Sequence, residues 1–309
     1  MRSRPPASSL GAFAYYGGLR LLGLTSLRRR QQDGGLILCY HNVVPGDGGR
    51  EGDPGLHMSC VRFERHMRWL ALHYNVVPLH EFVQRVEMGA SLQSVAAITF
   101  DDAYAGVFAH AAPLLEALEL PATVFVVADA PGRSDLFWWD RPDVVTFAAR
   151  PDTRQEWLTQ LQGDQAAIVS SLGASAVAPL PSTHYAADWA TIRAHAGRQL
   201  DIGVHSATHR SLTTLSDADL EREIVTSRAV IYHATGVWPQ CFSYPYGLWD
   251  GRVRDAVRAA GYRAACTTDP EFYSRPADVC ALPRLNVPAG ISDGAFEAWT
   301  AGFRGSKAS

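Results

Sequence analysis

Asp101 and Asp102 stand side by side after the apolar run "VAAITF", within "ITFDDAYAGVF" at 98–108. Adjacent carboxylates repel, so a chain that keeps both at the end of a strand needs a reason. Capping is one, because Asp accepts hydrogen bonds from the free amides of a helix N-terminus and suits its positive end. Chemistry is the other, with one carboxylate binding a cation and the next moving protons. Partners are needed to separate these readings. "DIGVHSATH" at 201–209 supplies a candidate, since an extended run leads straight into His205 and His209 follows four residues later. Two imidazoles at that spacing can face one point, and imidazole with carboxylate is the donor set of catalytic metal sites that keep positions open. The H-x-x-x-H string alone is weak, because eleven histidines in 309 residues yield about 0.4 such pairs by chance. Two strand-end clusters of complementary chemistry are harder to obtain by accident.

The elements that must position these residues alternate along the chain. "LILCYHNV" reads as a buried strand ending near His41, "VAAITF", "ATVFVVA" and "LDIGVHS" as further strands, and "QCFSYPYG", "RAACTT" and "ALPRLNV" as the last three. Helical periodicity fills the intervals: "CVRFERHMRWLALHY" carries Phe63, Met67 and Leu70 at i, i+4, i+7, and "SDADLEREIVTSRAVIYHATG" opens on a Ser216 cap and closes at Gly236. About seven strands with intervening helices predict an α/β fold, a distorted (β/α) barrel of parallel strands with its chemistry where strands end. Residues 35–309 form that barrel in one domain, with a less regular helical insertion at about 131–181.

Composition narrows the function. At 47% hydrophobic residues the chain can bury a large core, and a net charge of -3 offers no broad basic field for nucleic acid. The five cysteines are odd in number, scattered and without C-x-x-C spacing, which reads as buried free thiols in a reducing compartment. Residues 1–34 differ, with six arginines before the first acidic residue, interleaved with "LGAFAYYGGLRLLGL". Arg20 interrupts that run too early for a spanning helix, and no signal-peptide pattern is present. The expectation is an amphipathic segment making peripheral contact with anionic membrane, the alternative being an ordinary packed helix. Localisation is expected to be cytoplasmic, with membrane association through this segment.

"TFDD", "HSATH" and "SYPYG", in this order, resemble the motif set of the polysaccharide deacetylases, the NodB-type carbohydrate esterase family 4. The flanking strings "LILCYHNVVP", "RHMRWLALHYNVVPLHEF", "LPATVFVV" and "LFWWD" are similar to that family as well, so the resemblance spans Leu36 to about Val287. It implies a divalent metal, zinc by expectation, on Asp102, His205 and His209, with Asp101 left free as catalytic base. It also implies that the backbone N–H of Tyr246 helps hold the oxyanion, although "YPYG" by spelling is an ordinary Pro-Gly turn. The implied substrate is an N-acetylated amino sugar in a glycan or glycolipid. The alternatives are an O-acetyl esterase on the same site and a barrel that only binds carbohydrate.

Two departures from the family pattern matter. Ser243 stands where many members carry the Arg that orients the catalytic Asp, and Arg284 in "LPRLNV" is the candidate to supply that charge from another strand end, against the simpler reading of a surface ion pair. No histidine follows His233, so the late histidine that serves as general acid is missing from its usual place. The exopolysaccharide-deacetylase branch resembles a rearranged version with an N-terminal histidine, which makes His41 the general-acid candidate against a satisfied strand-end histidine. Trp138, Trp139 and Trp249 could stack on sugar rings at the barrel mouth or pack the insertion against it.

Overall fold

The computed structural model describes residues 10–46, 51–144, 151–173, 178–198, 200–274 and 278–303. Arg2, Arg4 and parts of the expected insertion lie outside the described residues. Among the described residues there are ten strands: β1 (Leu36–Tyr40), β2 (Asn42–Val44), β3 (His57–Ser59), β4 (Asn75–Val76), β5 (Val95–Phe100), β6 (Ala122–Val126), β7 (Leu200–Val204), β8 (Cys241–Ser243), β9 (Ala264–Cys266) and β10 (Leu285–Asn286). Seven of them run parallel in the order β10-β1-β5-β6-β7-β8-β9, and β4 pairs beside the start of β5. A parallel bridge from Cys266 to Leu282, three residues before β10, draws the two ends of this sheet together. The result is the expected distorted barrel.

Both faces of β1 and β5 are buried, which explains why they read as unbroken apolar runs. Leu36, Leu38 and Tyr40 of β1, with Ala96, Ile98 and Phe100 of β5, face the surrounding helices. Helix Cys60–His73 answers with Phe63, His66, Met67 and Leu70, and starts on Ser59, whose hydroxyl accepts from Arg62 N. The alternate residues Ile37, Ala97, Phe125, Cys241 and Ala264 form a second cluster with Phe82 and Val83 of helix Leu79–Glu87, which packs where the strands begin. The period of two therefore sends Cys39, Thr99 and then Asp101 toward the interior at the other end.

Two expected elements differ in detail. "LILCYHNV" is two strands, because pairing of β1 with β5 stops at Tyr40 and β2 leaves to pair with β3, so His41 falls at the break. The helix expected across 217–235 contains a π-helical turn at Arg222–Thr226, between Asp217–Glu221 and Ser227–Thr235. Ser216 and Gly236 do cap its ends. All five cysteines are free thiols.

Candidate active site

Asp101 and Asp102 sit just past β5 and are each 2% exposed. Alternation alone would aim them apart. Positive φ values of 70° at Asp102 and 52° at Ala103 turn the chain instead, so both carboxylates serve one cleft. His205 follows β7, and His209 returns to the same point through a loop with φ of 62° at Ser206 and 60° at His209. Oδ1 of Asp102 lies 3.6 Å from His205 Nε2 and 3.4 Å from His209 Nε2, and the two Nε2 atoms are 3.1 Å apart.

This triad tests whether a cation fits. Nδ1 of His205 lies 2.8 Å from the carbonyl oxygen of Ser243, which makes Nδ1 the protonated nitrogen and leaves the lone pair of Nε2 in the site. Oδ1 of Asp102 is buried with no hydrogen-bond partner. Lone pairs converging on an orphaned acceptor make sense around a cation, and a carboxylate with two imidazoles suits zinc. The two rings are set to ligate as they stand, and Asp102 ligates by giving up its proton. Burial, then the charges of Asp101 and Asp140, hold Asp102 well above the usual carboxylate range. Burial lowers both His205 and His209, keeping the rings neutral as ligands must be.

Asp101 is held differently. Arg284, 0% exposed, donates from both terminal nitrogens to its two carboxylate oxygens at 2.8 and 2.7 Å. The same guanidinium donates to Thr99 Oγ1, Ser243 Oγ and the carbonyl oxygen of Thr267. Ser243 Oγ lies 3.3 Å from Asp101 Oδ2. Burial raises Asp101, but Arg284 overrides it and holds the carboxyl well below the usual range. The surface ion pair considered for Arg284 is thus replaced by a buried bidentate one, and the small Ser243 leaves room for it.

His41 lines the same cleft, and one of its ring nitrogens is within 4.8 Å of an Asp101 oxygen. Burial, opposed by Asp101, pushes it down to about 4. Tyr246 takes a φ of 58° in the turn Pro245–Gly247 and sets its ring edge-on to His209, centroids 4.4 Å apart. Gly247 has a φ of 69°, and a Cβ there would collide with the side chain of Thr268, so this turn requires glycine.

The three tryptophans separate. Trp139 lines the cleft beside His209, stacked on Phe137 at 4.7 Å, and its Nε1 donates to Tyr104 Oη. Trp138 is 1% exposed, donates to Tyr246 Oη at 3.0 Å and packs against Trp157, which leaves no face for a sugar. Trp249 stacks on Tyr244, and its Nε1 donates to Asp269 Oδ2 at 3.4 Å.

Sequence reasoning missed two supports. Glu223, fully buried on the π-helical turn, accepts from the backbone N–H groups of Ala207 and Thr208 at 2.9 and 2.8 Å and from Thr208 Oγ1. It fixes the loop between the two histidines. An acidic residue among Leu220, Ile224 and Ser227 on the buried face was the available signal. The second is a chain behind Trp139: Asp140 accepts from Tyr104 Oη at 2.5 Å and from His57 Nε2 at 2.7 Å, and Asn42 donates to His57 Nδ1. No local pattern links residues this far apart in sequence.

The family model for polysaccharide deacetylases matches residues 89–265, more than half of the chain. A Bacillus subtilis (strain 168) protein named as a polysaccharide deacetylase, YxkH, is 22% identical over 267 residues, covering 85% of this chain and 75% of its own. The IcaB structure from Ammonifex degensii superposes with a TM-score of 0.61 at 18% identity, covering 87% of this chain and 98% of that one. The de-N-acetylase of Aggregatibacter actinomycetemcomitans does so with 0.59 at 18%, covering 86% and 100%. The chain belongs to the polysaccharide deacetylase family. It is a carbohydrate deacetylase on a NodB-type barrel.

Proposed function

We propose that the protein removes acetyl groups from the nitrogen of an amino sugar in a glycan, with a divalent cation, zinc by its donor set, on Asp102, His205 and His209. The observation that carries this reading is the Arg284-held Asp101 facing the converging triad. A barrel that only bound sugar would have no use for a free, ionised carboxylate beside three ligands. The fold it shares with a de-N-acetylase supports an amide over an ester.

A cation held by Asp102, His205 and His209 would supply Lewis acidity to the acyl group and lower the pKa of water at the site. Asp101 accepts a proton from the attacking water. Because Arg284 holds it low, it is a weak base that passes the proton on readily. His41 is neutral at rest and next to Asp101, so the general acid acquires its proton within the cycle and delivers it to the leaving nitrogen. The products are the free amine and acetate. The backbone N–H of Tyr246 is assigned to the developing oxyanion. Arg284 keeps both oxygens of Asp101 fixed, and Trp139 with Tyr246 walls the ligand histidine from bulk water.

Acetate release from a panel of N-acetylated and O-acetylated sugars, by metal-stripped protein with and without zinc, tests this. Zinc-dependent release from N-acetylated sugars is expected, falling steeply in His41→Ala. Release confined to O-acetyl sugars would assign the esterase, and zinc binding without release from any sugar would leave a binding protein.

A further inference from the structure

Helices Leu10–Leu21 and Leu24–Arg30 form a hairpin turned at Leu22 and Gly23, where Gly23 has a φ of 68°. One side is fixed to the body of the protein. Tyr16 is fully buried, with its hydroxyl 3.2 Å from Trp299 Nε1, Thr25 is buried, and Arg20 Nε lies 3.3 Å from Glu297. The opposite side exposes Leu21 (89%), Leu22 (74%), Leu24 (37%) and Leu27 (55%). One exposed leucine is ordinary, but four within seven residues on an anchored tip form a patch.

The charge around that patch indicates what covers it. Arg28 and Arg30 are exposed, Arg29 lies 5.5 Å over the Trp69 ring, and no acidic residue precedes Asp33. A second copy docking through the same face would set arginine against arginine. An anionic lipid surface satisfies both features, taking leucines into the acyl boundary and arginines at the phosphates. No helix among the described residues is long and apolar enough to cross a membrane. We propose that the Leu21–Leu27 tip docks the protein onto bilayers containing anionic lipid. None of these residues lines the catalytic cleft, so docking and catalysis are separable.

The test is co-sedimentation of the whole chain with vesicles of phosphatidylcholine alone and of phosphatidylcholine mixed with phosphatidylglycerol. The protein should sediment with the mixed vesicles and be released by salt. Leu21→Ser/Leu22→Ser should weaken binding about tenfold or more, and Arg28→Ser/Arg30→Ser should remove the preference for anionic lipid. Both variants should keep the wild-type melting temperature and acetate release from a soluble sugar. A chain that stays in the supernatant with both vesicle types, or a leucine variant that sediments like wild type, overturns the proposal. So does a dimer in sedimentation velocity that the leucine variant dissolves while vesicles are ignored.

Discussion

Replacing Arg284 with Met should reveal how the buried carboxylate is tolerated. Arg284 is 0% exposed and bonds both oxygens of Asp101 at 2.8 and 2.7 Å. Charge centres about 4 Å apart attract by about 4 kcal/mol at an effective dielectric near 20. Removing one partner of such a pair leaves an uncompensated charge and costs about 3–5 kcal/mol. At roughly 2–4 °C per kcal/mol for a chain of this size, the melting temperature should fall by about 6–20 °C. The pH dependence identifies the cause. In the wild type Asp101 is depressed, so its contribution is complete above the unfolded value near 3.9 and is lost as pH falls through the folded value. In the variant only the weaker influence of His205 and His41 opposes burial, the folded value rises above the unfolded one, and acidification restores stability. The gap between the two proteins in urea unfolding should therefore be widest at neutral pH and narrow toward about pH 4. A gap below about 1 kcal/mol at neutral pH, or one that does not narrow, would refute the reasoning.

Three further outcomes follow from the same geometry. Ser243→Arg should impair the wild type, where Arg284 Nη2 is 2.8 Å from Ser243 Oγ, yet restore acetate release to Arg284→Ser by returning a guanidinium to Asp101; failure to restore would show that position 284 alone can serve. Glu223→Gln should weaken zinc affinity by about 10–100-fold in a chelator competition, and an unchanged affinity would make the loop self-supporting. Zinc loading should expel a proton from Asp102, which burial and Asp101 hold well above the usual carboxylate range; calorimetry just above that range in buffers of differing ionisation enthalpy should show release, and none would place Asp102 in the normal range.

The parts of the site written locally were legible in the sequence. Asp101, Asp102, His205 and His209 lie at strand ends, where period-two burial stops and the chemistry of a parallel barrel collects. Arg284 was legible only as a candidate, because its partner is 183 residues away and β10 comes near β5 only through the pairing of both with β1. The left-handed backbone at Asp102, Ser206, His209 and Tyr246 carries no composition signal, since none of the four is glycine. Trp138 and Trp139 are adjacent yet differ, one enclosed by Trp157 and Tyr246 and the other at the cleft, a distinction set by packing alone. Glu223 and the Asp140, His57 and Tyr104 chain depend on tertiary contacts in the same way.

The most direct test of the central claim is acetate release by zinc-loaded Asp101→Asn. Asp101 is assigned to proton transfer and not to the metal, so the variant should bind one zinc per chain while kcat falls by about 10²–10⁴-fold. Near-wild-type turnover with zinc bound would contradict the account, and loss of zinc along with activity would move Asp101 into the ligand set.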